Sequence, residues 1–477
     1  MDHFVRDVAH GARDVKVEVT LSFKDIENIS ASQMFLILGH GVTGRSLARF
    51  FAKKRWSYCV VEDNNIVTEN DGAFTCQVHV ENDEIFSSTR KILSSEIKAV
   101  FPSPGVSSEH PVVCWSLKHK IPMVSELDLA FYYLTGELIG VTGTNGKSTT
   151  VKLIEALLQN AGHAVSLNGN IGSPLIDAVG ETPRAFYVVE ESSYQLEQIT
   201  NLHHRYAVCL NVTDDHFDRY PDINAYARAK ARIAEYSRPE DFFFYNHDDS
   251  ACIRMTFGTA AKKIPFSLVH EFDEGAFAGK TDMVIRLQGK EFRFAVAEAA
   301  LKGLHNLENM LASLLVVLTI ASDAKSVASY RKTLATFIGL HHRVEKIHTE
   351  NGVSYYDDSK GTNVGSVVMA LAGFEKDVIL IAGGKDKLGD YAPLKGLVKA
   401  KVKKLILLGE AKHKMAKVFQ NDADLSLVEN MKDAVVLAKK TAKPGDTVLL
   451  SPACSSFDQY KNYHERGLDF QKWVKGQ

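Results

Sequence analysis

The chain has 477 residues, 45% of them hydrophobic and 24% charged, a composition of globular proteins that excludes disordered, fibrous and membrane-embedded classes. That length exceeds a single ordinary core and predicts two to four domains, with three the central expectation. Fifty-six Lys and Arg against 58 Asp and Glu leave a net charge of -2, so no global field would gather nucleic acid or an acidic membrane, and any charged ligand must be held locally.

Six cysteines, at positions 59, 76, 114, 209, 252 and 454, form no CxxC pair, which argues against a disulfide framework or a zinc cluster and predicts a reducing, cytoplasmic setting. The opening stretch MDHFVRDVAHGARDVKVEVTLSF mixes both signs of charge and lacks the apolar core of a signal peptide. Residues 1–33 read as an extension to which no role is assigned. The longest apolar run, residues 310–321, falls short of the roughly 20 residues that cross a bilayer, and predicts a buried helix and no membrane insertion.

A first unit spans residues 34–130. It opens with an apolar strand at 34–38, a turn at Gly39, Gly41 and Gly44, an amphipathic helix through residue 51, and a second strand ending in Glu62 and Asp63. This is a dinucleotide-type βαβ opening, and it supports a Rossmann-like domain more firmly than it supports NAD. Ser103, Pro104 and Gly105 follow a later strand, either as a second ligand-facing turn or as an ordinary β-turn.

The second unit, residues 131–336, is organised around ELIGVTGTNGKSTTVKLIEALLQNAG at 137–162. A short apolar strand at 138–141 runs into a glycine loop, and Ser148 opens a helix whose apolar residues Val151, Leu153, Ile154 and Leu157 recur at helical spacing. Gly143 and Gly146 let backbone N–H groups turn inward, while Lys147 offers an ammonium and Ser148 a hydroxyl for Mg²⁺. Val141 stands where the GxxxxGK[ST] signature has its first glycine, so the match begins at Gly146. LNGNIGSPL then offers Asn170. One buried strand ends in Glu190 and Glu191, and the next in Asp214, Asp215, His216 and Asp218. Carboxylates at two strand ends beside a phosphate loop suit Mg²⁺, which prefers oxygen ligands. Lys230 reads by default as a helix-face charge, and Asn306 and Asn309 as helix-capping residues.

The third unit, residues 337–477, begins with a hairpin turning at Asn351 and Gly352. Its strands end in Asp357, Asp358, Ser359 and Lys360, in GGKDK, and in Ser451. Strands alternating with helices predict parallel sheets, with every polar cluster at a carboxyl end where a shared cleft would lie. The expected class is therefore α/β, with three domains: a Rossmann-like N-terminal domain, a central P-loop ATPase-type domain and a Rossmann-like C-terminal domain.

GVTGTNGKSTT, NGNIG, VVEESSYQLE, NVTDDHFDRY, AKARI, GLHNLEN, HHRVE, DDSKGTN, GGKDK and LLSPACSSFDQYKNYHERG occur in this order. Together they make the chain resemble the Mur ligases of peptidoglycan synthesis over residues 34–475, and the last motif with GGKDK resembles the D-glutamate-adding branch. The resemblance implies a cytoplasmic, monomeric ligase that uses ATP to activate the carboxylate of UDP-N-acetylmuramoyl-L-alanine as an acyl phosphate. The amine of D-glutamate then attacks, and a tetrahedral intermediate expels phosphate.

By the same resemblance, ATP would meet Gly143, Thr144, Asn145, Gly146, Lys147, Ser148, Thr149, Asn309, Arg343, Asp358 and Lys360. Lys147, His216, Lys230 and Lys360 would be catalytic. Ser148 and Glu190 would hold one Mg²⁺, and His216 and Lys230 would serve a second, with Lys230 carbamylated because a protonated lysine cannot ligate metal. Val42, Thr43, Ser103, Gly105, Asn170 and His216 would meet the UDP-sugar, and Thr362, Lys387, Ser456, Phe457 and Tyr463 would meet D-glutamate. Asp63 and Asn64 depart from the family's Thr-Arg, and Asp63 beside a diphosphate would repel it. An NAD oxidoreductase would leave the phosphate loop and the last unit unused. A regulatory ATPase switch would leave the carboxylate-rich strand ends unexplained, and a folate ligase would be expected to lack the glycine-turn domain.

Overall fold

The computed structural model describes residues 26–30, 32–61, 93–217, 219–386 and 390–476, together with the backbone of short strands at 74–75, 79–81, 84–86 and 91–92. Glu62, Asp63, Asn64, Asp218 and Lys387 lie outside the described residues. The chain forms two units by its internal contacts: Met1–Thr135 with Gly172–Pro183 and Tyr194–Leu202, and a larger one of Gly136–Ile171, Arg184–Ser193 and His203–Gln477.

In the first unit a parallel sheet has the order Phe74–Thr75, Tyr58–Val61, Met34–Leu38, Ile97–Pro102. Phe35 to Leu38 are at most 1% exposed, because a parallel strand covered on both faces must be apolar throughout rather than alternating. The helix Val42–Lys54 lays Leu47, Phe50 and Phe51 on that sheet and ends at Arg55, whose φ of 58° is left-handed. Gly44 lets the helix close on the strand, since a Cβ there would stand 1.9 Å from the carbonyl oxygen of Gly39. Cys59 in this sheet is disulfide-bonded, whereas Cys114, Cys209, Cys252 and Cys454 are free.

Among the described residues the second unit contains two sheets. Among the described residues the larger has nine strands, with Glu137–Thr142 between Phe186–Glu190 and Tyr206–Cys209, all parallel. An antiparallel hairpin of Asp282–Leu287 and Lys290–Ala295 closes one edge. The helix Lys147–Asn160 packs its Val151, Ile154 and Leu157 into the same core as Leu304–Ile320, a helix buried almost all round, as its unbroken apolar run predicts. The smaller sheet has six strands and is parallel apart from an edge hairpin. That hairpin turns at Asn351 and Gly352 with φ of 52° and 77°, the double left-handed step that such pairs favour. The α/β class with parallel sheets is thus as expected.

Candidate active site

The site assembles where strands of both sheets in the second unit end. Strand Glu137–Thr142 stops at a loop whose backbone is pinned from the neighbouring strand end. The Thr144 N–H donates to the carbonyl oxygen of Asn211 (2.9 Å), and the Asn145 N–H donates to the side chain of Asn211 (2.8 Å). Gly146, at φ 88°, caps the helix Lys147–Asn160 with no side-chain cap bond, a helix N-terminus of the kind that receives an anion. No side chain fits there, because a Cβ would lie 2.3 Å from Asn309 Oδ1. Lys147 folds back on the loop, donating to the carbonyl oxygens of Gly143 (2.6 Å) and Thr144 (2.9 Å).

The six-stranded sheet supplies the other wall. Strand Val353–Asp357 ends just before Lys360, whose ammonium donates to Ser148 Oγ at 2.7 Å and lies 5.1 Å from the ring centroid of Tyr463. Burial, with the cations of Arg343 and Lys147 nearby, lowers Lys360 to about 8, while Glu190 opposes the shift. Asn363 caps the helix Val364–Ala372 and donates to both Asn145 Oδ1 (3.1 Å) and Asp215 Oδ2 (3.1 Å), and Ser366 Oγ donates to Asn145 Oδ1 (2.6 Å). Residues more than 200 positions apart thus share one hydrogen-bonded cluster at the phosphate loop.

Beside this cluster lies a cavity of about 560 Å³ reached by Gly146, Asn309, Arg343, Asp358 and Thr362. Arg343, which lines the cavity, has its Nε buried with no hydrogen-bond partner. Asp358 is raised to about 7 by burial, against the pull of Arg343 and a 2.6 Å bond from Ser451 Oγ. Glu308, which also lines the cavity, is likewise raised to about 7 by burial. Sequence reading did not single out Glu308 or Asn363, although both stand inside quoted motifs, GLHNLEN and DDSKGTN. Asn306 and Asn309 do not cap their helix: Gly303 does, without a side-chain bond. Asn306 instead donates to the carbonyl oxygen of Lys302, and Asn309 accepts from Thr150 Oγ1.

Glu190 is 1% exposed, with Oε1 accepting from Asn170 Nδ2 (2.7 Å) and Oε2 unpartnered. A buried carboxylate oxygen without a donor is the kind of hard oxygen ligand a dication such as Mg²⁺ takes. Lys230 is not a solvated helix-face charge. It is 1% exposed, donates to the carbonyl oxygen of Gly143 (2.9 Å) and lies 4.5 Å from the ring centroid of Tyr226. Burial, then the charge of Lys147, drives its pKa well below the ordinary lysine value. His216, left-handed at φ 58°, stands edge-on to the same Tyr226 ring at 5.8 Å. Thr149 is buried beneath the loop with its Oγ1 unpartnered.

Ser456 is buried, Phe457 is 66% exposed, and Tyr463 lies against Lys360. In the first unit a cavity of about 440 Å³ is lined by Gly39, Gly105, Ser107, Glu109 and His110, among others. Ser103 Oγ donates to the carbonyl oxygen of Gly39 (3.2 Å) at its edge, Val42 is 61% exposed and Thr43 is half-buried.

Two family models match the chain: the Mur ligase middle domain over residues 141–317 and the Mur ligase glutamate ligase domain over residues 342–454. The chain is 39% identical to the UDP-N-acetylmuramoylalanine–D-glutamate ligase of Syntrophotalea carbinolica, over 92% of this chain and 97% of that one. It is 43% identical to the enzyme of the same name from Geotalea uraniireducens, over 79% and 83%. Among solved structures, MurF ligase from Thermotoga maritima in complex with ADP shares the fold with a TM-score of 0.54 at 15% identity, over 80% of this chain and 90% of that one. Motif order, strand-end chemistry and identity over nearly full length agree, and the chain belongs to the Mur ligase family, among the UDP-N-acetylmuramoylalanine–D-glutamate ligases.

Proposed function

We propose that the protein joins D-glutamate to UDP-N-acetylmuramoyl-L-alanine with cleavage of ATP to ADP and phosphate. The observation that carries this reading is the 2.7 Å bond from Lys360 to Ser148, which sets a cation of the six-stranded sheet on the hydroxyl that opens the phosphate-loop helix. ATP lies with its phosphates along residues 143–149 and its nucleoside in the 560 Å³ cavity, against Asn309, Arg343 and Asp358. A carboxylate is a poor electrophile until one oxygen becomes a leaving group, and its reaction with another anion needs fixed positive charge. Lys147 and Lys360 provide that charge and release their present carbonyl and hydroxyl partners when phosphate arrives. Ser148 and Glu190 would hold one Mg²⁺, and His216 and Lys230 would serve a second; the ions would add positive charge for the phosphate oxygens.

Lys230 becomes a metal-serving group as a carbamate: its neutral amine, favoured by burial, adds to CO₂, forms an N–C bond and loses a proton. Carbon-13 NMR of protein equilibrated with labelled bicarbonate would show this adduct. A Lys230→Ala variant with full activity and no response to short-chain acids would exclude the role. The three-part division at residues 34–130, 131–336 and 337–477 assigns the UDP-sugar to Val42, Thr43, Ser103 and Gly105, with Asn170 and His216 from the middle part. It assigns D-glutamate to Thr362, Lys387, Ser456, Phe457 and Tyr463. No helix among the described residues is long and apolar enough to cross a membrane. The proposed cytoplasmic, monomeric state rests on the resemblance alone, and sedimentation checks the monomer. The decisive assay is phosphate release from ATP with UDP-N-acetylmuramoyl-L-alanine and each amino acid in turn. Release that depends on D-glutamate is expected; release without any amino acid overturns the reading.

A further inference from the structure

Behind Lys360 lies a buried hydrogen-bond chain that the reaction scheme does not use. His342 is 2% exposed and holds a left-handed φ of 61°. Its Nδ1 lies 2.6 Å from Asp357 Oδ2, which also accepts from Gln471 Nε2 (2.9 Å). Its Nε2 lies 2.8 Å from Nδ1 of His464, an exposed residue in the first turn of the helix Tyr463–Lys475. The Asp357 carboxylate keeps the proton on His342 Nδ1, so in neutral His342 Nε2 accepts and His464 Nδ1–H donates. Gly467 makes room: a Cβ on it would stand 2.2 Å from His342 Nδ1.

The far end of this chain meets Lys360. The carbonyl oxygen of His342 accepts from the Lys360 N–H at 3.0 Å. Ser359 Oγ donates to the carbonyl oxygen of Tyr463 (2.8 Å), and Arg466 grips Ser359 through Oγ (3.0 Å) and the carbonyl oxygen (2.8 Å). Lys360 is therefore held through its backbone by His342 and through its neighbour by the helix that carries His464. We propose that His464, acting through His342 and Asp357, is a positioning residue that aims Lys360 at the phosphate loop; the inference rests on the ligase reading above.

The test compares the parent chain with His464→Ala, which removes the donor at an exposed position, and with His464→Asn, whose amide nitrogen can donate to His342 Nε2. In His464→Ala kcat is expected to fall about tenfold while KM for ATP stays within about twofold, the pattern of an interaction that matters in the transition state. The thermal midpoint should be unchanged, and His464→Asn should recover most of the rate. Equal rates in all three proteins, or an equal loss in both variants, overturn the positioning role while D-glutamate-dependent release in the parent leaves the ligase reading intact. If the parent hydrolyses ATP regardless of amino acid, the ligase reading fails and the same comparison on that hydrolysis decides the positioning role. No phosphate release at all overturns both.

Discussion

The chain contains the same local device twice. At Gly39–Gly41 and at Gly143–Gly146 an apolar parallel strand ends in a glycine turn and a helix begins with a glycine cap and no side-chain cap bond. The surroundings differ. The first turn faces a cavity with Ser107, Glu109 and His110, and among the described residues no Lys or Arg lines it. Lys147, Ser148 and Lys360 are drawn together at the second, with Glu190 and Arg343 near enough to shift Lys360. A helix N-terminus receives an anion in either place, but only buried cations and carboxylates around it turn reception into phosphoryl chemistry. The glycine turn is thus a seat, and its neighbours decide the reaction.

The largest expected separation between the two turns is chemical. Lys147→Ala and Lys360→Ala should each lower kcat by about 10³-fold, the scale of losing a cation on a transferring phosphoryl group. Steady-state phosphate release measures it, and a loss below about tenfold in either would mean that the charge comes from elsewhere.

Next is steric. Gly146→Ala forces a Cβ to 2.3 Å from Asn309 Oδ1 at φ 88°, whereas Gly41 has nothing within 4 Å of a built Cβ. Gly146→Ala should cost about 1–3 kcal/mol of stability and most of the ATP affinity, and Gly41→Ala under about 0.5 kcal/mol by denaturant titration. Similar costs at both glycines would erase the contrast.

A third test uses pH. Asp358 titrates at about 7 in the folded chain, above its ordinary 3.8, so across that window the native state holds a proton that the unfolded state has released. Stability from this group is full at low pH and declines as pH rises toward 7. Asp358→Asn should flatten that decline in thermal midpoints taken at about pH 5 and about pH 8, and an unchanged slope would show that another group, such as Glu308, governs it. The smallest effect belongs to the first turn. Ser103→Ala removes one partly exposed bond to Gly39 and should shift stability by less than about 1 kcal/mol.

Much of the fold could be read from residues in order. The strand at 34–38, the phosphate loop with its helix, the buried run after residue 304 and the Asn351–Gly352 hairpin all rest on short-range signals: apolar periodicity, glycine torsion and turn chemistry. Their bounds moved by one or two residues, as when the phosphate-loop helix began at Lys147 rather than Ser148. Lys230 and the two asparagines were misjudged from sequence pattern alone, because burial depends on what covers a helix face and the pattern gives no sign of it.

Read alone, the order of motifs determined the α/β class, the phosphate loop and the family, because each depends on residues within a few positions of one another. Only the tertiary structure joined Asn145 to Asn363, set Lys360 on Ser148, and left Glu190 Oε2 buried without a donor. Those outcomes depend on two sheets ending their strands at one place. Desolvation, which shifts Asp358, Lys360 and Lys230 from their ordinary pKa values, exists only once that place is enclosed.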